Sequence, residues 1–101
     1  MKRVVTHPQL SDMGSEIGYY EINKPMTLQQ VLDWIKANSK TWGTITVYYK
    51  DTGAIIRKFD YDLYSQEQFY HYFNTLQYTK EVLTIEYSSC FMYCDYYIYI
   101  A

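Results

Sequence analysis

Fourteen of the 101 residues are tyrosine, among 20% aromatic residues overall. Each brings a large flat apolar area and a hydroxyl that must meet water or a partner. So many phenols exceed what the interior of a small domain can hide, and the economical place for them is a β-sheet with one half-wet face. Tyrosine favours strands and packs well on a pleated, half-buried surface. Its few rotatable bonds also make it inexpensive to order, which is why recognition surfaces favour it.

A chain of 101 residues with 49% hydrophobic residues fits one domain and supports one modest core without disulfides. Nine Lys and Arg against 11 Asp and Glu give a net charge of −2. That balance lacks the footprint of a partner for nucleic-acid backbone or for an anionic membrane. It is also too small for a DNA mimic. No apolar run approaches a transmembrane length. Met1-Lys2-Arg3 has no apolar segment behind it and is not a secretory signal. The expected location is the cytoplasm, where Cys90 and Cys94 would behave as small apolar side chains.

Residues 1–15 carry Pro8 and Gly14 and no periodicity, and are expected to form a mobile or peripheral arm. Residues 16–101 are expected to form a single α+β domain. A first strand covers Ile17 to Ile22 and ends before Pro25. Thr27-Leu28-Gln29-Gln30 is a capping box, with Met26 and Val31 placed as a hydrophobic staple. Leu28, Val31, Leu32 and Ile35 then mark one face of a helix to about Asn38, with Trp34 at the rim of the stripe. Thr44 to Tyr49 alternates as a half-buried strand, with Ile45, Val47 and Tyr49 on one face. Lys50-Asp51-Thr52-Gly53 turns the chain into a returning strand, Ala54 to Asp60. Its preferred inner set is Ile55, Arg57 and Phe59.

A second capping box stands at Ser65-Gln66-Glu67-Gln68, and Phe69, Tyr72, Phe73 and Leu76 repeat the helical spacing. Val82 to Tyr87 follows as a strand with Leu83, Ile85 and Tyr87 inward. A last strand runs from about Tyr96 to Ile100. Ser88 to Asp95 is either a loop or an extension of both strands with a turn near Met92-Tyr93-Cys94-Asp95. An offset of 38 residues lays cap on cap and strand on strand, as two helix-hairpin units would. The order β-α-β-β-α-β-β predicts an antiparallel sheet of about five strands with two helices packed on one face. Its second face would hold Thr44, Thr46, Tyr48, Lys58, Asp60, Thr84 and Glu86, joined by Tyr99 and either Tyr96 or Tyr97.

Chemistry is sparse. Cys90 and Cys94 have three residues between them, which is neither a redox nor a zinc spacing. His7 lies in the arm, and His71 lies off the apolar stripe of the second helix, so neither has an orienting partner. Asp60 and Asp62 share a strand face about 7 Å apart, the separation of paired catalytic acids, yet no cleft is implied. Phosphate loops, nucleophile elbows and HExxH segments are missing. No metal, cofactor or enzymatic activity is therefore expected. Tyrosines on a sheet could stack bases, but Lys50, Arg57, Lys58 and Lys80 are offset by nearby acids, so nucleic acid is disfavoured.

The expected function is a small protein-binding module. Its expected contact residues are Tyr48, Asp60, Asp62, Tyr96, Tyr97 and Tyr99. The segment Tyr96-Tyr97-Ile98-Tyr99-Ile100 has no Lys or Pro to guard an open edge. It is expected either inside the sheet or paired with a partner, a homodimer being the simplest case. A specific form of this expectation is a phage or mobile-element inhibitor that occludes a host defence protein of CRISPR type. The alternative is a small-ligand or nucleotide-binding module with a tyrosine-lined pocket between sheet and helices.

Overall fold

A computed structural model describes residues 1–8, 15–39, 41–62 and 72–101. The elements are β1 (Lys2–Pro8), β2 (Glu16–Glu21), α1 (Leu28–Asn38), β3 (Gly43–Tyr49), β4 (Ile55–Tyr61), α2 (Thr75–Tyr78), β5 (Val82–Cys90) and β6 (Tyr93–Ile100). The fold is α+β. One six-stranded sheet has the order β1-β2-β5-β6-β3-β4.

Helix α1 starts where its cap dictates. Gln30 N–H donates to Thr27 Oγ1 at 3.2 Å, and Thr27 N–H donates to Gln30 Oε1 at 2.9 Å. Leu28, Val31, Leu32 and Ile35 are all buried against the sheet. Leu28 N–H donates to the Lys80 carbonyl and Val82 N–H to the Met26 carbonyl, which ties the start of α1 to the start of β5. Trp34 packs its edge against Tyr20, with ring centres 5.0 Å apart.

The sheet differs from the expected antiparallel five in two ways. Lys2–Pro8, expected as an arm, is an edge strand paired antiparallel with β2. The pair β3 and β6 is parallel, with Ile45 opposite Tyr96 and Val47 opposite Ile98, so the sheet is mixed. This follows from where the β5–β6 hairpin lies: β5 pairs with β2, and β6 then runs beside β3 in the same direction. The inner face of β6, with Cys94, Tyr96, Ile98 and Ile100, is fully buried. A strand with that pattern is most stable where both edges are paired, and β6 is held on one side by β5 and on the other by β3. Sheet continuation into a homodimer through the C-terminal strand is therefore not available. The outermost strands are β1 and β4.

Two irregularities shift the expected inner residues. Between Val47 and Tyr48 the pairing with β4 slips, so Phe59 points inward while Ile55 is 61% exposed and Ile56 packs against the core instead. A slip between Val82 and Thr84 likewise buries Val82 and leaves Leu83 46% exposed. Each added residue reverses the alternation beyond it. At an offset of 38, buried Ile45 thus falls on exposed Leu83, and the two units do not repeat at that position.

The second capping box at Ser65, together with Phe69 and His71, lies outside the described residues. Tyr72 and Phe73 precede α2 and are not helical. Asn74 and Gln77 form their own capping box, with bonds of 2.8 and 3.0 Å, and open a single helical turn. Leu76 belongs to that turn and is exposed, whereas the helical spacing places it inward. The cap restarts the helical phase and overrides the longer pattern. The β5 and β6 strands extend toward each other and turn at Phe91-Met92, with Phe91 at φ 55°.

Candidate functional site

Strand alternation divides the sheet into a dry face and an outer face. On the dry face, under α1, the rings of Tyr20, Tyr61, Tyr87 and Tyr96 belong to the core. Tyr61 shows how such a phenol is satisfied: its hydroxyl donates to the Cys94 carbonyl at 2.8 Å and pairs with Thr41 Oγ1 at 3.0 Å. Tyr96, expected at a contact surface, is among these residues and only 4% exposed. The slant of β6 is set by Ile98 and Ile100, which claim the dry face and take Tyr96 with them.

Burial pushes these groups up. Tyr61 rises from the ordinary 10.0 to about 12, the Cys94 thiol from 9.0 to about 11, and Tyr96 moves in the same direction. All three are neutral when protonated, and folding favours that form. Their contribution to stability is complete below the unfolded-chain values and is lost as pH rises toward the folded ones. The melting temperature should therefore hold to about pH 9 and fall between about pH 9 and 12. A late class of tyrosinate absorbance should appear together with unfolding. Titration of all tyrosines before any loss of structure would contradict this burial.

The two cysteines are free. Cys90 stands opposite Tyr93 and Cys94 opposite Ser89 in the β5–β6 ladder, so the thiols project to opposite faces of the sheet. That register rules out both a bond between them and a shared metal ion.

The outer face carries most of the expected contact residues. Rows across the strands set Tyr19, Glu86, Tyr97, Thr46 and Lys58 side by side, and then Thr84, Tyr99, Tyr48 and Ile55. Tyr48 and Tyr99 stack with ring centres 4.8 Å apart and planes 13° apart. The Lys50 ammonium sits 5.0 Å from the centre of the Tyr99 ring. Burial raises the Tyr97 and Tyr99 phenols, with the Asp95 carboxylate adding to the first and Glu86 to the second. Both hydroxyls are therefore protonated donors at neutral pH. Thr46 is the exception, only 2% exposed between its neighbours.

Asp60 lies at the far end of this face on edge strand β4, and Asp62 follows one residue beyond the strand. Next to them are Trp42, Met92 and Tyr93, exposed to 44%, 40% and 40%. These residues border a cavity of about 640 Å3. Sequence reasoning passed over Trp42 and Tyr93, although both share the parity of known outer positions: Trp42 with Thr44 and Tyr48, Tyr93 with Tyr97 and Tyr99. Reading each strand one step further toward its start would have found them. Between Asp95 and β3, Thr44 donates to Asp95 Oδ1 from its backbone N–H at 3.0 Å and from its hydroxyl at 2.7 Å. This carboxylate is structural.

Among the described residues no helix is long and apolar enough to cross a membrane. No family model matches the chain, and neither the curated proteins nor the solved structures contain a match, so what this face can do follows from its own geometry.

Proposed function

We propose that the protein is a small non-enzymatic binding module that docks another protein on the outer face of its sheet. The observation that carries this reading is an aromatic sheet face on which no described helix packs: α1 buries its whole apolar stripe against the opposite side. Tyr48, Tyr97 and Tyr99 form its centre, and Tyr19, Trp42 and Tyr93 extend it with partly exposed rings. Hydrogen-bonded strands hold these side chains in place, so little order has to be gained on docking. Clusters of tyrosine and tryptophan of this kind supply the dominant contacts of protein interfaces. In its finer form the partner is a host defence protein of CRISPR type, occluded by a phage or mobile-element inhibitor. A small domain with an aromatic surface suited to contact supports that form.

The rival reading, a tyrosine-lined ligand pocket between sheet and helices, has less room. The cavity there, bordered by Arg3, Tyr20, Trp34, Ser39, Cys94 and Tyr96, measures about 170 Å3. Ligand pockets commonly span about 300–1,000 Å3.

Affinity capture from a bacterial lysate tests the proposal with three baits. The wild type and Leu76→Ser, altered at an exposed leucine on α2, should retain the same protein in comparable amount. A Tyr48→Ser/Tyr97→Ser/Tyr99→Ser variant should lose it while keeping its circular dichroism spectrum. Recovery of no partner, or equal recovery by the triple variant, would overturn the reading.

A further inference from the structure

The outer face carries a charge pattern that complements its own rotated image. In one row across the strands, Glu86 on β5 and Lys58 on β4 flank Tyr97 on β6 and Thr46 on β3. The acid and the base therefore lie equally far from the line between β6 and β3, on opposite sides of it, and both are exposed. A twofold axis along that line brings a second copy face to face, with β6 over β3 and β5 over β4 of the other molecule. Two ion pairs then form at once. Glu86 meets Lys58 of the other copy, and Lys58 meets its Glu86.

The neighbouring rows obey the same axis. Tyr99 on β6 and Tyr48 on β3 stack across the line at 4.8 Å, so the pairs from two copies meet on the axis as a cluster of four rings. Ile55, 61% exposed, comes over Thr84 of the other copy at the edge of that cluster. On the other side Asp60 comes over Ser88 and Asp95 over Thr44, which sets no carboxylate directly against another. Relief agrees with charge. Thr46 is short and only 2% exposed, a low point beside the partly exposed Tyr97 ring, and the axis seats each Tyr97 over the Thr46 of the other copy.

We infer that the outer face self-associates, docking a second copy of this chain about a twofold axis between β6 and β3. The inference rests on the reading of that face as a protein-docking surface and names one partner for it. Twisted sheets pack face to face with their strands within about 30° of each other, the arrangement this axis generates. An isologous contact uses every pair twice, so one Glu86–Lys58 match yields two. Four overlapping strands about 4.8 Å apart and about six residues long cover only about 400 Å2 in plan. That is below the about 800 Å2 per partner of a standard stable complex, so the dimer is weak and a partner with a larger footprint displaces it.

Sedimentation of the whole chain from about 5 μM to about 1 mM tests this. The wild type and Leu76→Ser should form dimers with a dissociation constant on the order of 100 μM. Glu86→Lys and Lys58→Glu should keep their circular dichroism spectra and each dissociate at least about tenfold more readily, because like charges then oppose one another at both contacts. An equimolar mixture of these two variants should recover the wild-type association, since each contact again joins a lysine to a glutamate. A wild type that stays monomeric, single variants that associate as the wild type does, or a mixture that stays apart would overturn the inference. If a monomeric wild type still captures a protein from lysate through Tyr48, Tyr97 and Tyr99, docking on this face stands and the self-association alone falls.

Discussion

Replacing Ile98 by alanine is expected to cost about 4 kcal/mol of folding stability, a loss of about 20 °C in melting temperature for a chain of this size. Ile98 has no exposed surface, and its neighbours across the sheet are Val47 and Ile85, which are equally buried. Deleting three carbons there leaves a cavity bounded by two strands and α1 that cannot collapse without breaking ladder pairs. The matching control is Leu83→Ala. By its alternation with Ile85, Leu83 reads as a core residue, yet the slip at Val82 leaves it 46% exposed. Its truncation is expected to cost under about 1 kcal/mol. Thermal unfolding of the two variants separates the observed register from the simple alternating one, because the latter predicts similar losses.

Gly18→Ala is expected to be comparably severe for a different reason. A Cβ at Gly18 would lie 2.1 Å from the Val4 carbonyl oxygen and 2.8 Å from the Tyr87 hydroxyl. The first of these is backbone of β1 and cannot rotate away. The methyl group therefore either forces β1 off the sheet or displaces the Tyr87 ring from the core, at a cost of about 3 kcal/mol. Detachment of β1 would also remove the Arg3 guanidinium from its place 4.3 Å over the Tyr87 ring and separate it from its ion-pair partner Glu16. Gly53→Ala is the informative comparison. That position has φ +71° and nothing within 4 Å, so only the conformational cost applies, about 1 kcal/mol. Hydrogen exchange should show lost protection across β1 and β2 in Gly18→Ala, and none there in Gly53→Ala.

How much was legible in the sequence can be judged residue by residue. The start of α1 was, because a capping box is a local device whose partners are three residues apart. Its buried face was legible for the same reason. The strand core of β3 was as well, where Ile45 and Val47 alternate with polar neighbours. Ile55 and Leu83 were misplaced because a bulge is set by cross-strand geometry, and nothing in Ala54-Ile55-Ile56 or Val82-Leu83-Thr84 marks the extra residue. The parallel pairing of β3 with β6 was hidden because it depends on which strands the second hairpin slides between. Lys2–Pro8 lacks periodicity, since an edge strand flanked by one neighbour needs little apolar patterning.

On the outer face, Tyr48 and Tyr99 were legible by parity and Asp60 by its place in β4, while Tyr96 and Tyr97 stood as alternatives. Tyr96 was assigned to the same group, but in a strand aromatic or apolar at every position two faces look alike, and only Ile98 and Ile100 decide between them. Trp42 and Tyr93 were missed because both lie at strand starts, where element boundaries are least certain from sequence.

The proposal that the outer face docks a protein is tested most directly by site-specific photo-crosslinking. A benzophenone side chain is introduced in place of Tyr97, at the centre of the outer face, or in place of exposed Leu76 on α2. Each protein is then irradiated in a bacterial lysate or with a captured partner. Adducts to one partner protein from position 97 and none from position 76 are the predicted result. Adducts from position 76 alone, or the same adducts from both positions, would place the contact elsewhere and contradict the account.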